Sequence, residues 1–293
     1  MLTLFDHQLA SPGVAIQPGS DPAPDNFGSS VTDSLVLSIF PGIDLLGRGF
    51  EAEGFAIVRG PDPIWGGDIR RFHVMPGRFD GVIGGSPCQD FSKLRRDPPT
   101  GYGLEMLGEF VRVVREADPD WWLLENVPTV PDVAIPGYHV QRFDLHASEV
   151  GLTQNRLRHF QYGNRAGLVL ALDRPGARSY TGDPCVVASD TRRTWRTLCD
   201  LMGLPADFDL PGMSKAARYR AVGNGVPVPM AAFIARAIRH PVDPVLVRLC
   251  VCGCGRRTQG RQVAALPACR KRLQRSRERD GSLFTSARGG TSL

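Results

Sequence analysis

The chain has 293 residues, 42% of them hydrophobic, with 35 Lys or Arg against 30 Asp or Glu and a net charge of +5. That length suits one large domain or two smaller ones. No run of about 18 apolar residues offers a membrane helix, the opening MLTLFDHQLA lacks the basic and apolar regions of a secretory signal, and seven cysteines, an odd number, do not read as a secreted disulfide framework.

The expectation is therefore a cytoplasmic chain without a membrane partner. Residues 11–30 are rich in Pro, Gly, Ser and Asp and cannot build a core, so disorder is expected over 1–33. Residues 34–40, SLVLSIF, read as a buried strand, followed by a turn at 41–44 and a helix over 45–53. Strands are expected at 55–58, 79–83 and 121–124, and helical spacing runs from 104 to 115. Apolar strands alternating with helices predict an α/β domain with a mainly parallel sheet. Such sheets bind ligands at the carboxyl ends of their strands. Phe40-Pro41-Gly42, Gly85-Ser86-Pro87-Cys88 and Glu125-Asn126-Val127 each follow a strand and should share one rim. A lone cysteine is most often a small buried hydrophobe, but a loop on that rim offers Cys88 to a ligand.

The positive charge belongs to the end of the chain. Residues 248–293 hold eleven basic and two acidic groups, a balance of +9, which leaves −4 for residues 1–247. A basic tail on an acidic body suggests contact with a polyanion. Within the tail, Cys250, Cys252, Cys254 and Cys269 form a C-x-C-x-C-x14-C pattern. Four thiols can close a tetrahedral zinc site, and one metal could order so small a module. The basic stretch 268–277 would then face phosphates. Cys185 and Cys199 fit no site and are expected to be structural.

The order of motifs resembles that of the cytosine-C5 DNA methyltransferases. Phe40-Pro41-Gly42-Ile43-Asp44 is similar to that family's cofactor loop, Gly67-Asp68-Ile69 to its Gly-Asp-Ile segment, and Pro87-Cys88-Gln89-Asp90-Phe91-Ser92 to its catalytic loop. Glu125-Asn126-Val127, Gln154-Asn155-Arg156-Leu157-Arg158 and Tyr219 to Pro227, with Gly223-Asn224 at its centre, complete the set. Together they cover about residues 35–238.

The resemblance implies a Rossmann-like sheet, S-adenosylmethionine as methyl donor and double-stranded DNA as partner. It makes Cys88 the nucleophile that adds to carbon 6 of a cytosine, Glu125 the acid near N3, and Arg158, with Arg156 nearby, the holder of the base's O2. Phe40, Gly42, Asp62, Asp68, Ile69, Ser86, Pro87 and Asn224 fall to the cofactor side. The target carbon is stacked inside a duplex, so the base must be flipped or already unpaired. The biological setting would be DNA modification or protection from restriction. An RNA substrate, or a silent DNA-binding protein of the same fold, are the alternatives.

Two departures stand out. Asp44 occupies the place of the family's second glycine, where a carboxylate would crowd the donor or hold its amino group. Only residues 164–192 remain for target recognition, with Arg165, Arg174, Arg178 and Arg192, which predicts weak or short specificity, or specificity supplied by another part such as the tail. The expected organisation is a catalytic domain over 34–163, the reduced recognition region over 164–192, a return to the catalytic domain over 193–247, a Cys-rich module over 248–280 and a disordered end over 281–293.

Overall fold

A computed structural model describes residues 34–274, apart from 93, 94, 96, 181, 188, 189 and 191. The ends expected to be disordered, 1–33 and 281–293, and the part of the basic stretch beyond 274 lie outside these residues.

Four short apolar runs pair in parallel. β1 (Leu35–Ile39) lies between β2 (Ala56–Arg59) and β3 (Gly81–Gly84), and β3 pairs with β4 (Trp121–Asn126). Every residue of β3 and β4 is buried, as strands covered on both faces require. Successive side chains leave on opposite faces. Val36, Ile83 and Leu123 meet one core, where α1 (Leu45–Glu51) supplies Phe50 and α5 (Val228–Arg239) supplies Met230 and Ile234. Leu37, Val82 and Trp122 meet the other, built on Phe110, Val113 and Val114 of α2 (Tyr102–Ala117). Each such apolar side chain stabilises the fold by about 1.5–3 kcal/mol.

The sheet then departs from a purely parallel pattern. β5 (His139–His146) and β6 (Leu157–Asn164) form an antiparallel pair, and β6 runs antiparallel to β4. Residues 147–156 join β5 to β6, and a connection that short cannot carry the dozen or more residues a parallel crossover needs. The order is β2-β1-β3-β4-β6-β5, with β5 at an edge.

α3 (Trp195–Met202) and α4 (Lys215–Asn224) build a third cluster from Leu198, Met202, Tyr219 and Val222 against Leu45. Thr194 and Ser214 start these helices by accepting the N–H groups of Thr197 and Ala217, as N-cap hydroxyls do. Lys215–Arg239 is long and apolar enough by composition to cross a membrane. It is instead two helices, broken at Gly225–Pro227, and its apolar residues enter the cores just described.

Candidate active site

The carboxyl ends of β1, β3 and β4 open onto one cavity of about 580 Å³. Phe40, Gly42, Asp62, Asp68, Ile69, Ser86, Pro87, Cys88, Glu125, Arg158 and Asn224 all line it. Their sequence separations are large, so the sheet, not local chain geometry, gathers them.

The loop after β1 is held in an uncommon shape. Phe40 and Gly42 have φ of 53° and 57°, a left-handed region that a bulky side chain rarely adopts. Asp62 braces this loop. One of its carboxylate oxygens accepts the Gly42 N–H at 2.8 Å and the other accepts the Ile64 N–H at 2.9 Å. Trp65, which the sequence reading passed over, donates its indole N–H to the Gly42 carbonyl at 2.8 Å. Asp68 starts the next turn by accepting Arg70 N–H, and also holds the Arg70 guanidinium. Those charge-assisted bonds hold the Asp68 carboxyl below its usual value.

The cysteine loop is fixed at both ends. The side-chain amide of Asn126 donates to the Ser86 carbonyl and hydroxyl at 2.9 and 3.1 Å. Asn126 stood inside the quoted Glu-Asn-Val motif, so its signal was present. Asp90 accepts the N–H groups of Thr100 and Gly103 at the start of α2, and these donors hold its carboxyl low.

Cys88 sits between opposing influences. Burial, and then the Glu125 carboxylate, push its thiol up, while the Arg158 and Arg156 charges pull it down. Burial also pushes Glu125 up, with Arg158 opposing. Arg158 Nε lies 2.9 Å from Glu125 Oε1, and both side chains are largely buried. Gly85 makes this pair possible, since a Cβ there would stand 2.9 Å from Glu125 Oε2. The cavity thus presents a thiol, an acid biased toward holding its proton, and a guanidinium. That set can add a nucleophile to an electron-poor ring, protonate a ring nitrogen and hold an oxygen.

Of the residues expected in the catalytic and cofactor sites, Arg156 is the one that does not line the cavity. It is fully buried. Its guanidinium donates to the carbonyls of Val186, Gly223 and Gly225. It precedes β6, whereas Arg158 lies within that strand. Its work is to tie the start of β6 to the end of α4. Asp44 is also turned inward. It caps α1 from a left-handed backbone with φ 56°, accepting the Ser38 hydroxyl at 2.8 Å and Gly47 N–H at 3.0 Å. Arg59 Nε lies 2.9 Å from its other oxygen. A Cβ on Gly47 would collide with this carboxylate, so the missing glycine at 44 is matched by one at 47.

The recognition region and the tail also rearrange the expectations. Arg174 is 2% exposed in its side chain and pairs with the buried Glu149 at 2.7 Å. Arg165 pairs with Asp118 and lies over the Tyr138 ring. Arg178 and Arg192 are exposed. The four tail cysteines come together, with all four sulfurs within 4.8 Å of one another.

The chain is similar to known proteins. The model of a family described as C-5 cytosine-specific DNA methylase matches residues 63–182 and 185–240. Type II methyltransferase M.AquIA of Picosynechococcus sp. is 30% identical over 193 residues, 49% of this chain and 77% of that protein. Type II methylase M.HgiDII of Herpetosiphon aurantiacus is 32% identical over 101 residues, 30% of this chain and 28% of that protein. The chain spans about half the length of several other type II methyltransferases it matches. Among solved structures, a variant of Spodoptera frugiperda DNMT2 superposes with a TM-score of 0.53 at 14% identity, covering 71% of this chain and all of that one. At that identity the likeness speaks for the fold.

Proposed function

The chain belongs to the C-5 cytosine-specific DNA methylase family, and on that premise we propose that it methylates carbon 5 of cytosine in double-stranded DNA. The observation that carries the reading is that Cys88, Glu125 and Arg158 face one cavity together with the Phe40–Gly42 loop and Asn224.

S-adenosylmethionine is the donor the family implies, and it supplies an electrophilic methyl group when bound. The residues present fit it. The cavity volume lies within the roughly 300–1,000 Å³ usual for small-molecule sites. At Gly42 no atom stands within 4 Å of where a Cβ would be, which leaves the backbone open to close approach. Phe40 and Ile69 offer apolar surface, and Asp62 and Asp68 offer acceptors for hydroxyl and amino groups. Ser86, Pro87 and Asn224 complete the wall.

Carbon 5 of cytosine is too weak a nucleophile to be methylated directly. Cys88, as thiolate, forms a bond to carbon 6 and breaks the 5–6 double bond. Glu125 supplies a proton at N3, so the electron pair collects at carbon 5 as an enamine. Arg158 holds the O2 oxygen. After methyl transfer, carbon 5 loses its hydrogen as a proton to water, N3 returns its proton to Glu125, the 5–6 double bond re-forms and the Cys88 sulfur leaves as thiolate. Burial favours the protonated Glu125 that the first step needs. The base reaches this cavity only outside the stack, which requires flipping.

Target choice would rest on a short surface. Arg178 and Arg192 are exposed in 164–192, whereas Arg174 and Arg165 are engaged with carboxylates. Such a surface favours short specificity. The type II relatives support DNA modification as the setting, with protection from restriction as its use.

The test is methylation sequencing of plasmid DNA from cells expressing the chain, beside a Cys88→Ala control. Methylated cytosines in a fixed short context that vanish in the control are expected. Methylation that persists in the control would remove Cys88 as nucleophile. Unmethylated DNA alongside labelled RNA would move the substrate to RNA.

A further inference from the structure

The described part of the tail, residues 248–274, packs against the body. β5 is one of the sheet's two edge strands, and an uncovered edge invites pairing with other chains. The cysteine-bearing loop lies on that edge. Gly253 has φ 79°, and a Cβ there would stand 3.0 Å from the β5 carbonyl of Arg142. The Gln141 side-chain amide, on β5, donates to the carbonyls of both Leu170 and Gly253 at 3.1 Å. Leu172 N–H donates to the Gly255 carbonyl at 2.7 Å. So β5, the 170–172 strip and the tail are laced in one layer.

Charge fixes the same contact. Glu149 is 1% exposed and pairs with Arg174 from the strip and Arg256 from the tail. Arg174 also donates to the Cys254 carbonyl at 2.9 Å. Arg272 reaches Asp144 on β5 at 2.6 Å. Separating the tail would leave Glu149 and Arg174 buried with part of their pairing lost, a costly state.

The loop that makes these contacts has little apolar core besides its own thiols. Cys250, Cys254 and Cys269 are buried, and their cluster adds only Ala264, with Ala265 and Leu273 at its margin. All four cysteines are unlinked thiols. Cys250 and Cys252 sulfurs stand 3.4 Å apart and those of Cys254 and Cys269 stand 3.9 Å apart. A tetrahedral zinc with bonds of about 2.3 Å requires sulfur–sulfur edges of about 3.8 Å, and a disulfide about 2.05 Å. The Ala265 N–H points to Cys250 Sγ at 3.3 Å, the kind of bond that stabilises a thiolate. Four sulfurs, with no fifth donor in their group among the described residues, make a closed structural site, with no position open for catalysis.

We infer that Cys250, Cys252, Cys254 and Cys269 hold one zinc ion, and that the zinc-ordered loop clamps the edge of the catalytic sheet by locking β5 and the 170–174 strip through the Arg174–Glu149–Arg256 cluster. The clamp is part of the catalytic body and does not depend on which substrate that body methylates.

The full chain, purified under reducing conditions with zinc in the medium, tests both halves. Elemental analysis should find about one zinc per chain, and Cys269→Ser should carry none. Hydrogen exchange followed by mass spectrometry on the wild-type chain, before and after zinc is stripped with a chelator and a thiol-directed mercurial, reads the clamp. Exchange over β5 and 170–174 should rise by at least about tenfold, with β1 and β3 unchanged. Two results would overturn the site: a chain without zinc, or a mass short by the hydrogens of one or two disulfides. Zinc present, with β5 equally protected after its removal, would overturn the clamp.

Discussion

Replacing Arg158 by methionine isolates one charge of the candidate active site. Arg158 Nε lies 2.9 Å from Glu125 Oε1, and the two side chains are 14% and 9% exposed. Burial holds the Glu125 carboxyl above its ordinary value of 4.5, with Arg158 pulling the other way. Methionine keeps much of the volume and removes the charge, so an ionised Glu125 is left buried and unpaired. Breaking such a pair costs about 3–5 kcal/mol. The carboxyl can escape the cost by keeping a proton, which makes the cost depend on pH. An acid whose folded-state pKa is raised adds stability that is complete below its unfolded value and is lost as pH rises through the folded one. The variant's deficit against wild type should therefore be small near about pH 5 and grow by at most about 1.4 kcal/mol per pH unit until it levels. For a chain of this size 1 kcal/mol is about 2–4 °C of melting temperature, so a deficit of about 3–4 kcal/mol near pH 8 should reach roughly 6–16 °C. Thermal melts by circular dichroism on Arg158→Met, Glu125→Gln and the double variant measure it. The double variant should lose the pH dependence. A deficit equal at every pH, or one that Glu125→Gln fails to relieve, refutes a buried unpaired carboxylate as its source.

Alkylation of Cys88 by iodoacetamide, followed by peptide mass spectrometry, should rise with pH and reach half its maximum above 9.0, because burial and Glu125 raise the thiol; a midpoint near neutrality would contradict that. Asp44→Gly should change stability by less than about 1 kcal/mol, since the lost cap and the relieved left-handed strain offset each other, whereas Asp44→Ala should cost about 1–2 kcal/mol. Gly47→Ala should be the most damaging of the three, as its methyl falls on the Asp44 carboxylate; urea melts rank them, and a harmless Gly47→Ala would refute the pairing of these positions. In the tail, Arg261, Arg270 and Lys271 are exposed, while Arg256, Arg257 and Arg272 pair with Glu149, Asp173 and Asp144. Changing the three exposed residues to Gln should lower the slope of log K against log salt for duplex binding by at most about 2.7. An unchanged slope would remove the described tail from the phosphate contacts.

What could be read without coordinates followed burial. β1, β3 and β4 are covered on both faces, so their apolar runs announce strands, and the loops behind them announce the rim. β5 gives no such signal, because its buried polar residues find partners far away: Gln141 with Leu170 and Gly253, Asp144 with His159 and Arg272. Arg156 shows the same limit. Its motif spacing links it to Arg158, yet its acceptors at Val186, Gly223 and Gly225 stand 30 to 69 positions away. The basic tail read wholly as a surface for a polyanion because charge counting cannot see Glu149, Asp173 and Asp144 pairing with Arg256, Arg257 and Arg272.

The cavity wall that Asn224 supplies, and that Arg156 anchors, has a consequence for synthesis on the ribosome. Phe40 and Asn224 stand 184 positions apart. At about 5–20 residues per second, roughly 10–40 s separate the emergence of the first wall from that of the last. A ligand stabilises only a state able to bind it. Through that interval no ligand of the cavity can stabilise the nascent chain, and β1, β3 and β4 must persist on their apolar packing alone.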